Sequence, residues 1–166
     1  MVVHYAQNGY ASIPAESWRH ETGRARDMVE SAYRALNVGD LDTMLKDYEE
    51  NATYWSTART AGVHGKAQIR EYFRHLLTTF PGIQMVITNV IDSGDWVAVE
   101  YRVRGTHNGP LEMASRTIPA TGKTAELSGA EFFETRNGKI VTDRNYIDSL
   151  DLMRQLGLIP AAAAAS

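Results

Sequence analysis

With 166 residues, 43% of them hydrophobic, the chain can bury one sizeable core, and its composition allows one domain. Seventeen basic against twenty acidic residues give a net charge of -3 with no long block of one sign, which excludes the concentrated positive face that nucleic acid requires. The absence of cysteine excludes disulfides, thiolate nucleophiles and cysteine metal sites. The five histidines, at positions 4, 20, 64, 75 and 107, lack the paired spacing of a metal centre.

Residues 1–14 lack the basic and apolar regions of a secretion signal, and no apolar run is long enough to span a bilayer. The expectation is a cytoplasmic protein with one domain over residues 15–160, an N-terminal extension over 1–14 and a disordered tail over 161–166. A first helix is predicted from Ala15 or Glu16 to Leu36, because Trp18, Ala25, Met28, Val29, Ala32, Tyr33 and Leu36 recur at helical spacing. Asn37-Val38-Gly39 ends it, and Asp40 caps a second helix carrying Leu41, Met44, Leu45 and Tyr48. Residues 51–56 read as a short strand. A third helix follows Gly65, with Ile69, Tyr72, Phe73, Leu76, Leu77 and Phe80 on one face, and Pro81-Gly82 stops it.

Beyond Gly82 the period changes from 3.6 to 2. Ile83–Ile91 and Trp96–His107 read as strands joined by Asp92-Ser93-Gly94-Asp95. In the second, Val97, Val99, Tyr101 and Val103 alternate with Ala98, Glu100, Arg102 and Arg104, so one face is buried and the other polar. Residues 123–135 and 139–147 form another hairpin around Asn137-Gly138, the favoured chemistry of a two-residue turn. A last helix over 149–156 ends at Gly157. The class is therefore α+β: a curved antiparallel sheet wrapped around N-terminal helices, a cone-shaped barrel with room for a cavity.

Three groups are candidates for proton transfer. Asp148 ends a strand just before a helix, where a carboxylate either points into a pocket or caps the helix. Glu131 sits mid-strand among Ala130, Phe132 and Phe133; it either lines a cavity or faces outward to pair with Arg144 across the hairpin. His107 ends the long strand on its apolar face, as a structural histidine or a proton shuttle. Tyr54, Trp55, Tyr101, Phe133 and Tyr146 are the candidate walls for a flat hydrophobic substrate, or simply core. Two carboxyl groups sharing one cavity would push their pKa values apart and supply one acid and one base.

Several runs carry a resemblance over roughly residues 25–160. They are Ala35-Leu36-Asn37 with Gly39-Asp40-Leu41, Gly105-Thr106-His107-Asn108-Gly109-Pro110, Pro119-Ala120-Thr121-Gly122-Lys123, Ser128-Gly129, Asn137-Gly138-Lys139-Ile140, and Asp148 with Arg154-Gln155-Leu156-Gly157. Together they resemble the SnoaL-like polyketide cyclase family, within the nuclear-transport-factor-2-like superfamily. The resemblance implies a homodimer and a cofactor-independent cyclase of natural-product biosynthesis, acting on a hydrophobic small molecule by aldol-type acid–base chemistry.

It also places Asp148 on the aspartate that serves those cyclases as general acid/base. The histidine they pair with it falls here on Glu131 or Phe133, so Glu131 or His107 becomes the second group. Related members open epoxides, by water or by an internal hydroxyl, and others only bind ligands; both remain alternatives. Glu100 and Arg102 resemble part of the acid–arginine set of limonene epoxide hydrolases but lie on a polar face. The ketosteroid isomerase pattern fails, because its tyrosine and aspartate fall on Ala32 and near Ser56.

Overall fold

The computed structural model describes residues 23–58, 61–112 and 116–159. Helix α1 (Arg24–Asn37) buries Ala25, Met28, Val29, Ala32, Tyr33, Ala35 and Leu36, the stripe that its spacing predicts. The predicted start of this helix at 15–16, with Trp18, the extension over 1–14 and the tail over 161–166, lie outside the described residues. Asn37 then fastens the helix to the sheet: its side chain donates to the carbonyl of Met85 at 2.8 Å and accepts from the Met85 N–H at 2.7 Å. Helix α2 (Leu41–Leu45) is short and is capped by Asp40, whose carboxylate accepts from the Thr43 N–H at 3.0 Å. Helix α3 (Lys66–Thr79) presents Ile69 and Phe73 to the core.

The sheet contains β1 (Tyr48–Ser56), β2 (Val63–His64), β3 (Gln84–Ser93), β4 (Trp96–Thr106), β7 (Thr124–Arg136) and β8 (Lys139–Ile147). Its order is β2-β1-β8-β7-β4-β3. All neighbours are antiparallel except β1 and β8, which run parallel. Between β4 and β7 lies a separate two-residue ladder, β5 (Leu111–Glu112) with β6 (Thr117–Ile118). The short β2, β5 and β6 carry too few residues to show a period. Helix α4 (Ser149–Gln155) closes the described fold.

The chain's predicted alternation holds along β4: Val97, Val99, Tyr101 and Val103 are buried while Glu100, Arg102 and Arg104 are exposed. One irregularity matters for the site. Glu134 pairs with Thr142 but Thr135 pairs with Ile140, leaving Val141 as an extra, unpaired residue in β8. A bulge of this kind resets which residues face inward. Beyond it, Asp143 and Asn145 turn to the concave face with Glu131 and Phe133.

Candidate active site

The concave face of the sheet and the inner sides of α1 and α3 enclose a cavity of about 110 Å³. Its wall is mostly apolar, with Leu36, Met44, Phe73, Met85 and Val103 among the contributors. Into this wall project two carboxyl groups, Glu131 from β7 and Asp143 from β8, only 5% and 1% exposed.

Glu131 is held by a phenol and an amide, and Asp143 by a phenol. Glu131 Oε2 accepts from the Tyr33 hydroxyl at 2.5 Å, and Glu131 Oε1 accepts from Asn145 Nδ2 at 3.2 Å. The same Asn145 amide donates to the Tyr101 hydroxyl at 2.8 Å. Asp143 Oδ2 accepts from the Tyr48 hydroxyl at 2.5 Å. The two bonds from the phenols are short, at the lower end of the hydroxyl–oxygen range.

Asp143 Oδ1 is buried and, among the described residues, receives no hydrogen bond from an amide or hydroxyl. The carboxyls of Asp143 and Glu131 neighbour each other closely enough for each to act on the other's titration. Two buried carboxylates side by side repel one another, which favours a state in which one of them holds a proton. Burial, then the neighbouring negative charge of Glu131, holds the Asp143 carboxyl well above the usual carboxylate range; the bond from Tyr48 pulls the other way. Glu131 is raised by burial, against the opposing bonds from Asp143, Tyr33 and Asn145. Both carboxyls are thus raised, Asp143 the more strongly. Burial also raises the phenols of Tyr33, Tyr48, Tyr54 and Tyr101, leaving them as neutral donors.

Of the residues singled out from sequence, Glu131, Tyr54, Tyr101 and Phe133 line this cavity. Asp148 does not. It is exposed, and its Oδ1 accepts from the Asp151 N–H at 2.9 Å, so it is the N-cap of α4. His107 is fully buried but stands outside the cavity, its ring 5.5 Å from that of Phe80. Its Nδ1 accepts from the Thr121 N–H at 3.3 Å, and burial lowers its pKa. Trp55 and Tyr146 lie on the outer face of the sheet, 5.3 Å apart between ring centres, because their neighbours Tyr54 and Asn145 point inward. Glu100 and Arg102 are exposed on that outer face too.

Asp143, Asn145, Tyr33 and Tyr48 belong to the site and were not singled out from the sequence. Tyr33 and Tyr48 read as core aromatics, which they also are. Asp143 is flanked by Thr142 and Arg144, and only the bulge at Val141 brings it opposite Phe133, where counting from the Asn137-Gly138 turn would place Thr142. Among the described residues no three His, Asp or Glu side chains converge as a metal ion would need.

Comparison with known proteins gives a consistent family. The model of the SnoaL-like domain matches residues 29–142. No curated protein sequence matches the chain. Among solved structures, IdmH from Streptomyces antibioticus, assigned as a polyketide cyclase, is 25% identical with a TM-score of 0.67, over 81% of this chain and 99% of that one. A protein from Jannaschia sp. CCS1, assigned as a SnoaL-like polyketide cyclase, is 21% identical with a TM-score of 0.73, over 82% of this chain and 94% of that one. A protein from Catenulispora acidiphila with a ketosteroid isomerase-like fold, solved with trimethylamine, is 19% identical with a TM-score of 0.67, over 84% of this chain and 98% of that one.

Proposed function

The chain belongs to the SnoaL-like domain family, and from that premise we propose that it is a cofactor-independent cyclase that closes a ring in a hydrophobic, polyketide-like small molecule. The observation that carries this reading is the buried Glu131–Asp143 pair, two neighbouring carboxyls with raised pKa values at the wall of an apolar cavity, which we read as one base and one acid. Adjacent acid and base suit enolisation. In a ketone, the α-proton and the carbonyl oxygen are about as close together as two neighbouring carboxyl groups. Glu131 takes the α-proton while Asp143 protonates the carbonyl oxygen, and the enol attacks a second carbonyl of the same molecule. The enol hydroxyl proton returns to Asp143 as the ring closes, and the proton on Glu131 passes to the new alkoxide, which restores the pair. Tyr48 holds Asp143 in place, and Tyr33 and Asn145 hold Glu131.

Epoxide opening is the second reading, favoured by the same neutral acid. A carboxylic acid that stays protonated near neutral pH is a strong enough donor for an epoxide oxygen, with Glu131 deprotonating a hydroxyl nucleophile or water.

One assay separates the two. Wild type, Glu131→Gln and Asp143→Asn are incubated with a linear poly-β-ketone and with a hydroxy-epoxide, and ring formation is followed by mass spectrometry. Ring-closing enolisation predicts turnover of the polyketone and a loss of 10²-fold or more in Glu131→Gln. Asp143→Asn retains part of the rate, because an amide still donates to a carbonyl. Epoxide opening predicts turnover of the epoxide instead, abolished in Asp143→Asn because an amide cannot give up its proton. Wild-type turnover that persists undiminished in Glu131→Gln would sink both.

A further inference from the structure

The inner cavity is small for the reaction just proposed. Its volume of about 110 Å³ lies well below the roughly 300–1,000 Å³ of sites that enclose drug-sized ligands. It is not isolated, however. A more open groove of about 610 Å³ runs along α3, with Val63, Ala67, Phe80 and Leu111 on its apolar side. Ala58, Tyr72, Leu76 and Leu152 belong to the linings of both spaces. A third cavity, of about 70 Å³ beside Phe80, Gly105 and Ala125, again shares Leu76 and Leu152.

Two half-buried leucines, one on α3 and one on α4, thus stand where three spaces meet. The α4 side of this junction is lightly built. The helix has seven residues, none of them fully buried. It is tied at its start by the Asp148 cap and at its end by Gln155. The Gln155 side chain donates to the Glu126 carbonyl at 2.8 Å and accepts from the Glu126 N–H at 2.9 Å.

The groove's polar lining includes Gln68, Glu71, His75, Thr79 and Glu112, two carboxylates and, among the described residues, no lysine or arginine. The inner cavity also carries a net negative charge, on the Glu131–Asp143 pair. Neither end of the path favours an anion.

We propose that Leu76 and Leu152 form a portal between a reaction chamber and an outer binding groove. The substrate is then an elongated, uncharged molecule: its reacting head reaches Glu131 and Asp143, and its remaining length lies along α3 against Val63, Ala67 and Leu111. The proposal rests on the acid–base reading for what happens at the head, but not for where the tail lies.

Calorimetric titration with 4-ethylphenol and 4-hexylphenol tests it, the phenol serving as a neutral head and the alkyl chain as the tail. Each methylene that leaves water is worth roughly fourfold in affinity, so a tail seated in the groove makes 4-hexylphenol more than tenfold the tighter ligand. Ala67 is exposed on α3, and Ala67→Trp fills the groove without entering the chamber. That change is expected to remove most of the hexyl advantage while shifting 4-ethylphenol by less than twofold. If 4-hexylphenol binds no tighter, if Ala67→Trp leaves its advantage intact, or if neither probe binds, the portal is overturned. Glu131→Gln reports on the head separately. Unchanged affinity for both probes in that variant, with the chain-length response intact, removes the acid–base reading and leaves the portal standing.

Discussion

Glu131 uses both carboxylate oxygens on fixed donors, Tyr33 and Asn145, and still neighbours the carboxyl of Asp143. Such a group is oriented before any substrate arrives, which is what a general base needs to act without reorganisation. The arrangement has a cost that depends on pH. Because the folded pKa of Asp143 is raised by burial and by the Glu131 charge, its contribution to stability is fully present below the unfolded value near 3.9. The contribution is lost as pH rises from there through the folded value. Asp143→Asn stays neutral throughout. Its stability should therefore rise relative to wild type as pH climbs from the unfolded value towards the folded one, by up to about 1.4 kcal/mol per pH unit inside that window. Thermal denaturation of the two proteins at several pH values checks the sign; a difference that does not vary with pH would mean that Asp143 titrates like a solvated aspartate.

At the scale of elements, the end of β8 shows how one strand serves two purposes. Its interior delivers Asp143 and Asn145 to the cavity, while the residue just past its end, Asp148, starts α4. Asp148→Ala should cost about 1 kcal/mol, the usual value of a helix N-cap, which for a chain of this size is about 2–4 °C in melting temperature. The hydrogen bonds of Glu131 and Asp143 do not involve it, so a loss of turnover far beyond the loss of folded protein would return Asp148 to the chemistry. The sequence made these elements legible where periods are long. The α1 stripe, the inward face of β4 and the Asn137-Gly138 turn, where Asn137 sits at φ 51 and Gly138 at φ 70, all follow from local spacing or turn chemistry. Glu131 was legible as well, as a charge among Ala130, Phe132 and Phe133. Asp143 was not, because its neighbours on β8 are polar and one bulged residue reverses the face that simple counting assigns.

Over the whole molecule, the sheet separates two kinds of surface. The concave face holds the carboxyl pair. The convex face leaves Trp96, Phe132 and Tyr146 about two-fifths exposed, at 38%, 40% and 42%, with Arg144 4.9 Å over the Trp96 ring. Glu100, Arg102 and Arg104 are exposed on the same face, so it offers both aromatic surface and charges of both signs. A homodimer across this face is the expected assembly: sedimentation velocity should report a dimer for wild type and a monomer for the double variant Trp96→Glu, Phe132→Glu, whereas a monomeric wild type would remove the idea.

The central claim, that a carboxylic acid and a carboxylate share one proton inside the cone, is tested most directly by carbon-13 NMR titration of side-chain carboxyl carbons in wild type, Glu131→Gln and Asp143→Asn. The account predicts a carboxyl in wild type that titrates well above the usual carboxylate range and is missing from Asp143→Asn. It also predicts that the Asp143 carboxyl titrates at lower pH in Glu131→Gln, once the neighbouring charge is gone. Two carboxyl groups that both ionise near pH 4, each indifferent to loss of the other, would contradict it.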